Sequence, residues 1–349
     1  MSGLLEFAKR FGTEEQCVTH LAELRWPAGY VCPRCKGSAY WRLKRRPRVF
    51  ECTNCHHQES VTAGTVFHRT RTDLPKWFMA ARMMARDKRG VSARYLSKEL
   101  QVSYATAWTM AHKLRHGMSE DPLIQIEGYL EADETFVGGR GDPDSPGRST
   151  DNPDKSLVVM AIEKKWASKK KDGRHSHAVK RQHGFIAGNA RIAVLPAATG
   201  AELGKFLRTN VKSKSRLVTD GFSGYQGADA DLGGHLSHTP IVQGKGANAA
   251  EFFPIIHTVF SNIKSWLVGT HHGVSAKHLP RYLREWSYRF NRRNLHSEID
   301  LYLIRRAMEC ATITYEELVA GEQIEGAERR RRAARRSLKP VLEGHLTPA

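Results

Sequence analysis

The sequence predicts an α/β protein in which a small cysteine-built module and a helix-turn-helix precede a sheet-containing domain. Three observations carry that expectation. Two C-x-x-C pairs, CPRC and CTNC, stand sixteen residues apart. Two short amphipathic helical stretches then meet at the turn QVS. Between residues 128 and 245 the helical periodicity gives way to five short apolar runs with one helical stretch before the fourth.

The cysteine module comes first. Cys32, Cys35, Cys52 and Cys55 have the spacing of a zinc ribbon, in which two tight turns each aim two thiolates at one tetrahedral ion. Four protein ligands close such a site, so its zinc is expected to be structural. His56 and His57 adjoin the last cysteine and are read as polar neighbours rather than ligands. Between the pairs, YWRLKRRPRVF alternates aromatic and basic residues, a pattern that suits a strand facing nucleic acid, although ribbons also bind protein.

The stretch LPKWFMAARMMARDKR, residues 74 to 89, has helical periodicity with Pro75 in its first turn. Ser92 and Ser103 are placed to cap the two helices that follow, and Leu96, Leu100, Val102 and Leu114 supply their apolar side. Helix, short turn and helix match a helix-turn-helix, and Arg94, Lys98, Lys113 and Arg115 favour DNA over an ordinary helical hairpin.

The runs YLEADETFVG, SLVVMAIEK, HGFIAGNARIAVLP, SRLVTDGFSGY and HTPIV read as strands, with GAELGKFLRTNV as a helix before the fourth. Two inserts interrupt them, a Gly, Pro and Asp-rich one at 138–155 and a basic one at 164–183 that either contacts phosphate or is simply solvated. Beyond residue 248 the chain turns helical and ends in ERRRRAARRSLK, a basic tail suited to non-specific nucleic-acid contact.

The chain of 349 residues carries a formal charge of +19, which points to a polyanionic partner. No apolar run reaches the roughly 20 residues of a membrane span, and the first thirty residues are too charged for a signal peptide, so a cytoplasmic, nucleoid-associated protein is expected. Cys17 and Cys310 have no spacing partner and are read as core or incidental residues.

One feature stands against the basic background: three carboxylates inside the strand-like GYLEADETFVGG. In an extended run Glu131, Asp133 and Thr135 share one face and Glu134 takes the other. A carboxylate buried on a central strand is costly unless it is paired or holds a metal. Asp220 ends the run RLVTDG where a strand opens into a loop, and two aspartates on neighbouring strands can ligate divalent cations for phosphoryl transfer.

The order of ribbon and helix-turn-helix, followed by EADETFVGG, VTDGFSGY and HTVFSNIKSWLVGTHHGVSAKHLPRYLREWSYRFNRR, resembles bacterial insertion-sequence transposases of the DDE superfamily with an amino-terminal zinc ribbon. The resemblance covers roughly residues 15 to 295. It implies an RNase H-like mixed sheet flanked by helices, catalytic Mg²⁺ or Mn²⁺, and binding of terminal inverted repeats followed by strand cleavage and strand transfer. Its domains would be a ribbon at 15–62, the DNA-binding helices at 72–120, the catalytic domain at 126–296, and a helical segment and basic tail at 297–349.

Carried over by position, Asp133 and Asp220 match the first two acidic residues of that family. Its third, a glutamate seven residues before a lysine, is matched here by His257 ahead of Lys264, and His257, Ser261 and Lys264 share a helical face. Glu251 and Asn262 compete for the role but lie roughly 120° and 140° around a helix. A neutral imidazole suits Mn²⁺ better than Mg²⁺. Arg289, Arg292 and Arg293, with Arg281 and Arg284, would hold DNA near the site, or else pair with acidic neighbours such as Glu285. Two DNA ends must be joined, so a dimer or larger assembly with element ends and target DNA is implied. The alternative is a non-catalytic, sequence-specific DNA-binding regulator derived from a transposase.

Overall fold

The computed structural model describes residues 3–119, 125–138, 155–166, 185–225, 236–242, 252–294 and 298–322. They fall into two compact units, residues 1–119 with 292–320, and residues 120–291 with 321–349.

The first unit opens with helices α1 (Leu4–Phe11) and α2 (Glu14–Arg25), the second held at its start by a capping box between Thr13 and Gln16. A three-stranded antiparallel sheet follows, β1 (Tyr40–Arg42), β2 (Val49–Cys52) and β3 (Gln58–Ser60). Helix α3 (Leu74–Arg86) begins with a proline in its first turn, as its sequence suggests. Next come α4 (Ala93–Glu99) and α5 (Tyr104–Gly117), where the Ser92 and Ser103 hydroxyls accept the backbone N–H groups of Tyr95 and Thr106. The turn between them passes through Gln101 at φ 50°.

Residues 292–320 return to this unit as α9 (Ile299–Glu309) and α10 (Tyr315–Ala320). Asp300, 1% exposed, accepts from Arg82 at 2.7 Å and Arg86 at 2.8 Å, which pins α9 to α3. Two guanidiniums offset the cost of burying that carboxylate. Gly117 of α5 meets the backbone of Ala307 on α9, where an added Cβ would sit 3.4 Å from its Cα. The helical pair is therefore covered along its carboxy-terminal half by a segment about two hundred residues distant in sequence.

The second unit is built on a five-stranded sheet in the order β6-β5-β4-β7-β8. Strands β4 (Tyr129–Val137), β5 (Ser156–Trp166) and β6 (Phe185–Leu195) form an antiparallel meander. Helix α6 (Gly200–Asn210) then leads to β7 (Arg216–Thr219), which pairs in parallel with β4, and β8 (Ser237–Pro240) pairs in parallel with β7. This is the expected mixed α/β architecture, and all five expected strands are present. The first eight residues of β5 are buried, as a central strand covered on both faces requires.

Each face has its own core. Leu130, Ala132, Val159 and Leu217 pack with Leu203, Phe206 and Leu207 of α6. On the other face, Val158, Met160 and Ile162 pack with Ile256, Val259, Phe260 and Ile263 of α7 (Pro254–His271) and with Leu283 and Trp286 of α8 (Leu279–Asn291). No helix among the described residues is long and apolar enough to cross a membrane.

Candidate functional site

The four cysteines form the first candidate centre. Their ligand atoms all lie within 4.8 Å of one another. The two turns are built alike: Lys36 N–H donates to Cys32 O and His56 N–H to Cys52 O, with Lys36 at φ 63° and His56 at φ 54°. Cys32 Sγ lies 3.6 Å from Cys55 Sγ, and Cys35 Sγ 3.4 Å from Cys52 Sγ. Burial raises the Cys32 thiol, but the backbone N–H groups of Cys35 and Arg34 outweigh it and bring it down to about 6. In Cys52 the corresponding donor, Cys55 N–H, likewise outweighs burial and lowers the thiol. Each turn thus favours a thiolate, the form that ligates zinc. His56 is exposed and directs Nδ1 toward Glu51 at 3.3 Å, away from the cluster. Cys17 is fully buried, its thiol pushed up to about 12 chiefly by burial.

The second centre lies on the sheet. β4 and β7 pair in parallel up to Glu131 and Val218, and Asp220 follows directly after β7, outside the residues that line the pocket around Asp133. On the face toward α7, Asp133 Oδ2 stands 3.8 Å from His257 Nε2, too far for a hydrogen bond. Lys264 Nζ donates to Thr135 Oγ1 at 2.7 Å. Glu131, fully buried, accepts from Ile256 N–H at 3.1 Å and meets Lys164 Nζ at 3.1 Å. The face expected for Glu131, Asp133 and Thr135 is the one observed.

A pocket of about 820 Å³ opens here, lined by Asp133, Glu134 and Thr135 from β4 and by His257, Phe260, Ser261, Lys264 and Ser265 from α7, with Phe222 and Lys155 among its other walls. Glu134 points to the opposite face, where its carboxylate bears on the buried Tyr225, yet it still lines the pocket at the strand's end. The sequence reading named no role for Phe222 or Phe260, because an apolar wall has no spacing signature. Thr135 was accessible to the alternation argument that placed it beside Asp133.

Burial lowers the His257 pKa, opposed by the carboxylates of Glu131 and Asp220 and reinforced by Lys264, and the net shift is downward. Its ring is neutral at neutral pH, and a lone pair is available. Burial also lowers Lys264, against the pull of Asp133. Two carboxylates and a neutral imidazole are donors that suit a divalent cation, Mn²⁺ more than Mg²⁺. They are spread more widely than the four cysteines, the one group of three or more such side chains this close together among the described residues. Asn262 is exposed and does not line the pocket, whereas Glu251 falls outside the described residues.

Residues 125–291 match the ISXO2-like transposase domain, and residues 12–58 match the transposase zinc-ribbon domain. The chain is an insertion-sequence transposase of the DDE superfamily. It is similar to an uncharacterized protein in transposable element ISH50 of Halobacterium salinarum, 27% identical over 289 residues that cover 80% of this chain and 92% of the relative. The ribbon match and the gathered cysteines together support a structural zinc ion in the transposase.

The basic residues expected at DNA need correction. Arg115 is 1% exposed and Lys113 half-buried, because α5 is covered along its carboxy-terminal half. Arg289 stacks 4.9 Å above the Trp266 ring and meets the fully buried Glu285 at 3.6 Å, the pairing anticipated for that helix. Arg281 is 2% exposed. Arg292 lies 4.9 Å over Tyr302, and both it and Arg293 are partly exposed. The exposed residues of the helical pair are instead Arg94, Tyr95 and Lys98 on α4 and Tyr104 at the start of α5.

Proposed function

We propose that the transposase binds the terminal inverted repeats of its element and catalyses metal-dependent strand cleavage and strand transfer. The observation that supports this reading is the pocket lined by Asp133, His257 and Lys264, with Asp220 at the end of the strand that pairs in parallel with β4. Mg²⁺ or Mn²⁺ bound here would lower the pKa of a nucleophilic water and offset charge on the phosphate oxygens. Asp133 and Asp220 supply the carboxylates that hold the cation, and His257 offers a neutral ring nitrogen as the third donor. Lys264, steadied by Thr135, presents its ammonium to the scissile phosphate. The walls formed by Phe222 and Phe260 exclude bulk water and strengthen those charge interactions.

End binding falls to the ribbon and the helix-turn-helix. A recognition helix reads base edges from its amino-terminal residues, which suits the exposed Tyr104 at the start of α5, while the exposed Arg94 and Lys98 of α4 suit backbone phosphate. Paired synapsis of two ends calls for at least a dimer, and a nucleoid location follows from DNA binding. Arg94→Ala and Tyr104→Ala are expected to weaken binding to element ends about tenfold with the melting temperature unchanged. Arg115→Ala is expected to lower stability by roughly 2 kcal/mol or more through lost packing. Fluorescence anisotropy and thermal melts separate these effects, and an Arg115→Ala protein that melts normally but binds poorly would reverse the assignment.

The deciding experiment is strand transfer by the purified protein on DNA carrying the element's ends, in Mg²⁺ and in Mn²⁺. Joined products are expected, more in Mn²⁺ than in Mg²⁺, and absent in His257→Ala but present in Asn262→Ala. Specific end binding with no cleavage in either metal would sink the catalytic reading and leave a DNA-binding regulator.

A further inference from the structure

We propose that Glu131 is a positioning residue, setting the register of α7 against β4 and so the placement of His257 and Lys264 over Asp133. The inference rests on the functional reading above for its consequence, though not for its geometry. Glu131 is fully buried on a central strand, where an unpartnered carboxylate would be strongly destabilising. Its two partners are specific: Ile256 N–H at 3.1 Å, and the ammonium of Lys164 at 3.1 Å.

Helix α7 lacks a cap of its own. Phe253 stands at the N-cap without a side-chain hydrogen bond, and a proline opens the first turn. The early N–H groups of a helix have no intrahelical acceptor, and the positive end of its dipole lies there. Glu131 answers both needs from the neighbouring strand, one residue before His257. Farther along, Thr135 receives Lys264 Nζ at 2.7 Å.

The lengths agree. Four residues of strand from Glu131 to Thr135 rise about 13 Å. Eight residues of helix from Ile256 to Lys264 rise about 12 Å. Strand and helix are thus pinned at two points a similar distance apart, with His257 beside the first pin and Asp133 midway between the two. A single pin at Thr135 would leave the first turn of α7 free to swing. A displacement of about 1 Å at His257 is enough to disturb a metal-dependent site.

The test compares Glu131→Ala with Glu131→Gln, whose amide oxygen can still accept from Ile256 N–H. Amide hydrogen exchange followed by NMR, Mn²⁺ titration calorimetry and steady-state strand cleavage are measured on the full-length protein. In Glu131→Ala the Ile256 amide is expected to exchange at least about tenfold faster while amides of β5 are unchanged, with Mn²⁺ affinity down about tenfold. Its kcat should fall while the KM for end DNA stays within about twofold. Glu131→Gln should restore Ile256 protection and most of kcat. Unchanged Ile256 exchange in the alanine variant would overturn the proposal. So would equal loss of Mn²⁺ affinity in both variants, since Gln keeps the pin. If Glu131→Ala loses its β5 protection as well, Glu131→Gln decides alone: recovered Ile256 protection and Mn²⁺ affinity support the pin, and their absence refutes it. Were the wild type to show no cleavage in either metal, the catalytic reading would fail while exchange and Mn²⁺ affinity still decided the role of Glu131.

Discussion

Asp133→Ala is expected to abolish strand cleavage and joining, by at least about a thousandfold, without loss of stability. The first part follows from its place: it lines the pocket with Lys264, and its carboxylate stands 3.8 Å from His257 Nε2. Removal of a carboxylate that holds catalytic cations removes interactions that matter most in the transition state. The second part follows from burial. Asp133 is 7% exposed and shares its strand face with Glu131, whose own charge is met by Lys164, so the fold holds two carboxylates on one buried face. Truncation to alanine removes one of them, although it forfeits the bond from Glu134 N–H at 2.8 Å. A melting temperature equal to or above wild type is therefore expected, the common pattern where a site is held against the preference of the fold. Joined products at wild-type level from Asp133→Ala would remove it from the site. A large drop in melting temperature would instead make it a structural residue.

Removal of zinc carries the other large effect. Cys52→Ser, or prolonged chelation, is expected to unfold the ribbon, because structural zinc contributes roughly 10 kcal/mol or more of apparent folding free energy in modules of this size. Of the four cysteines within 4.8 Å of one another, Cys32 and Cys52 are biased toward thiolate and lose their counter-charge once the cation is gone. Loss should spread through the ribbon's ties to its neighbours. Arg25 of α2 donates to Ala63 O at 2.8 Å, and Arg48 beside β2 donates to Thr70 O at 2.7 Å and pairs with Glu14. Metal analysis should read about one zinc per chain before chelation. Limited proteolysis should then open cleavage between residues 30 and 60, while the sheet-containing unit stays resistant. A metal-free protein with unchanged proteolysis would show that the ribbon folds without zinc.

How much of this could be read in advance varied with the range of the interaction involved. The ribbon was legible because its ligands lie in two tight turns whose spacing is a local property. Ser92 and Ser103 were legible as caps for the same reason, each bonding a backbone N–H three residues away. The strand face of Glu131, Asp133 and Thr135 followed from the period of two, and the pocket-lining set of His257, Ser261 and Lys264 from the helical repeat.

The burial of Arg115 and Arg281 was not legible, because it depended on remote partners. Periodicity assigns Arg115 to a side of α5 without saying that α9, about two hundred residues later, will cover that part of the helix. For Arg289 the linear sequence left phosphate and Glu285 both open, and the packing beside Trp266 brings it to Glu285.

The sequence by itself determined the metal-binding turns, the order of the strands in the sheet domain, its mixed composition and the side chains that share a face. Only the tertiary structure decided that β4 and β7 pair in parallel, that Glu131 meets the first turn of α7, and which cations are buried. The physical reason is that covalent geometry sets face and period over a few residues, whereas burial and strand register depend on groups that folding brings together from far along the chain.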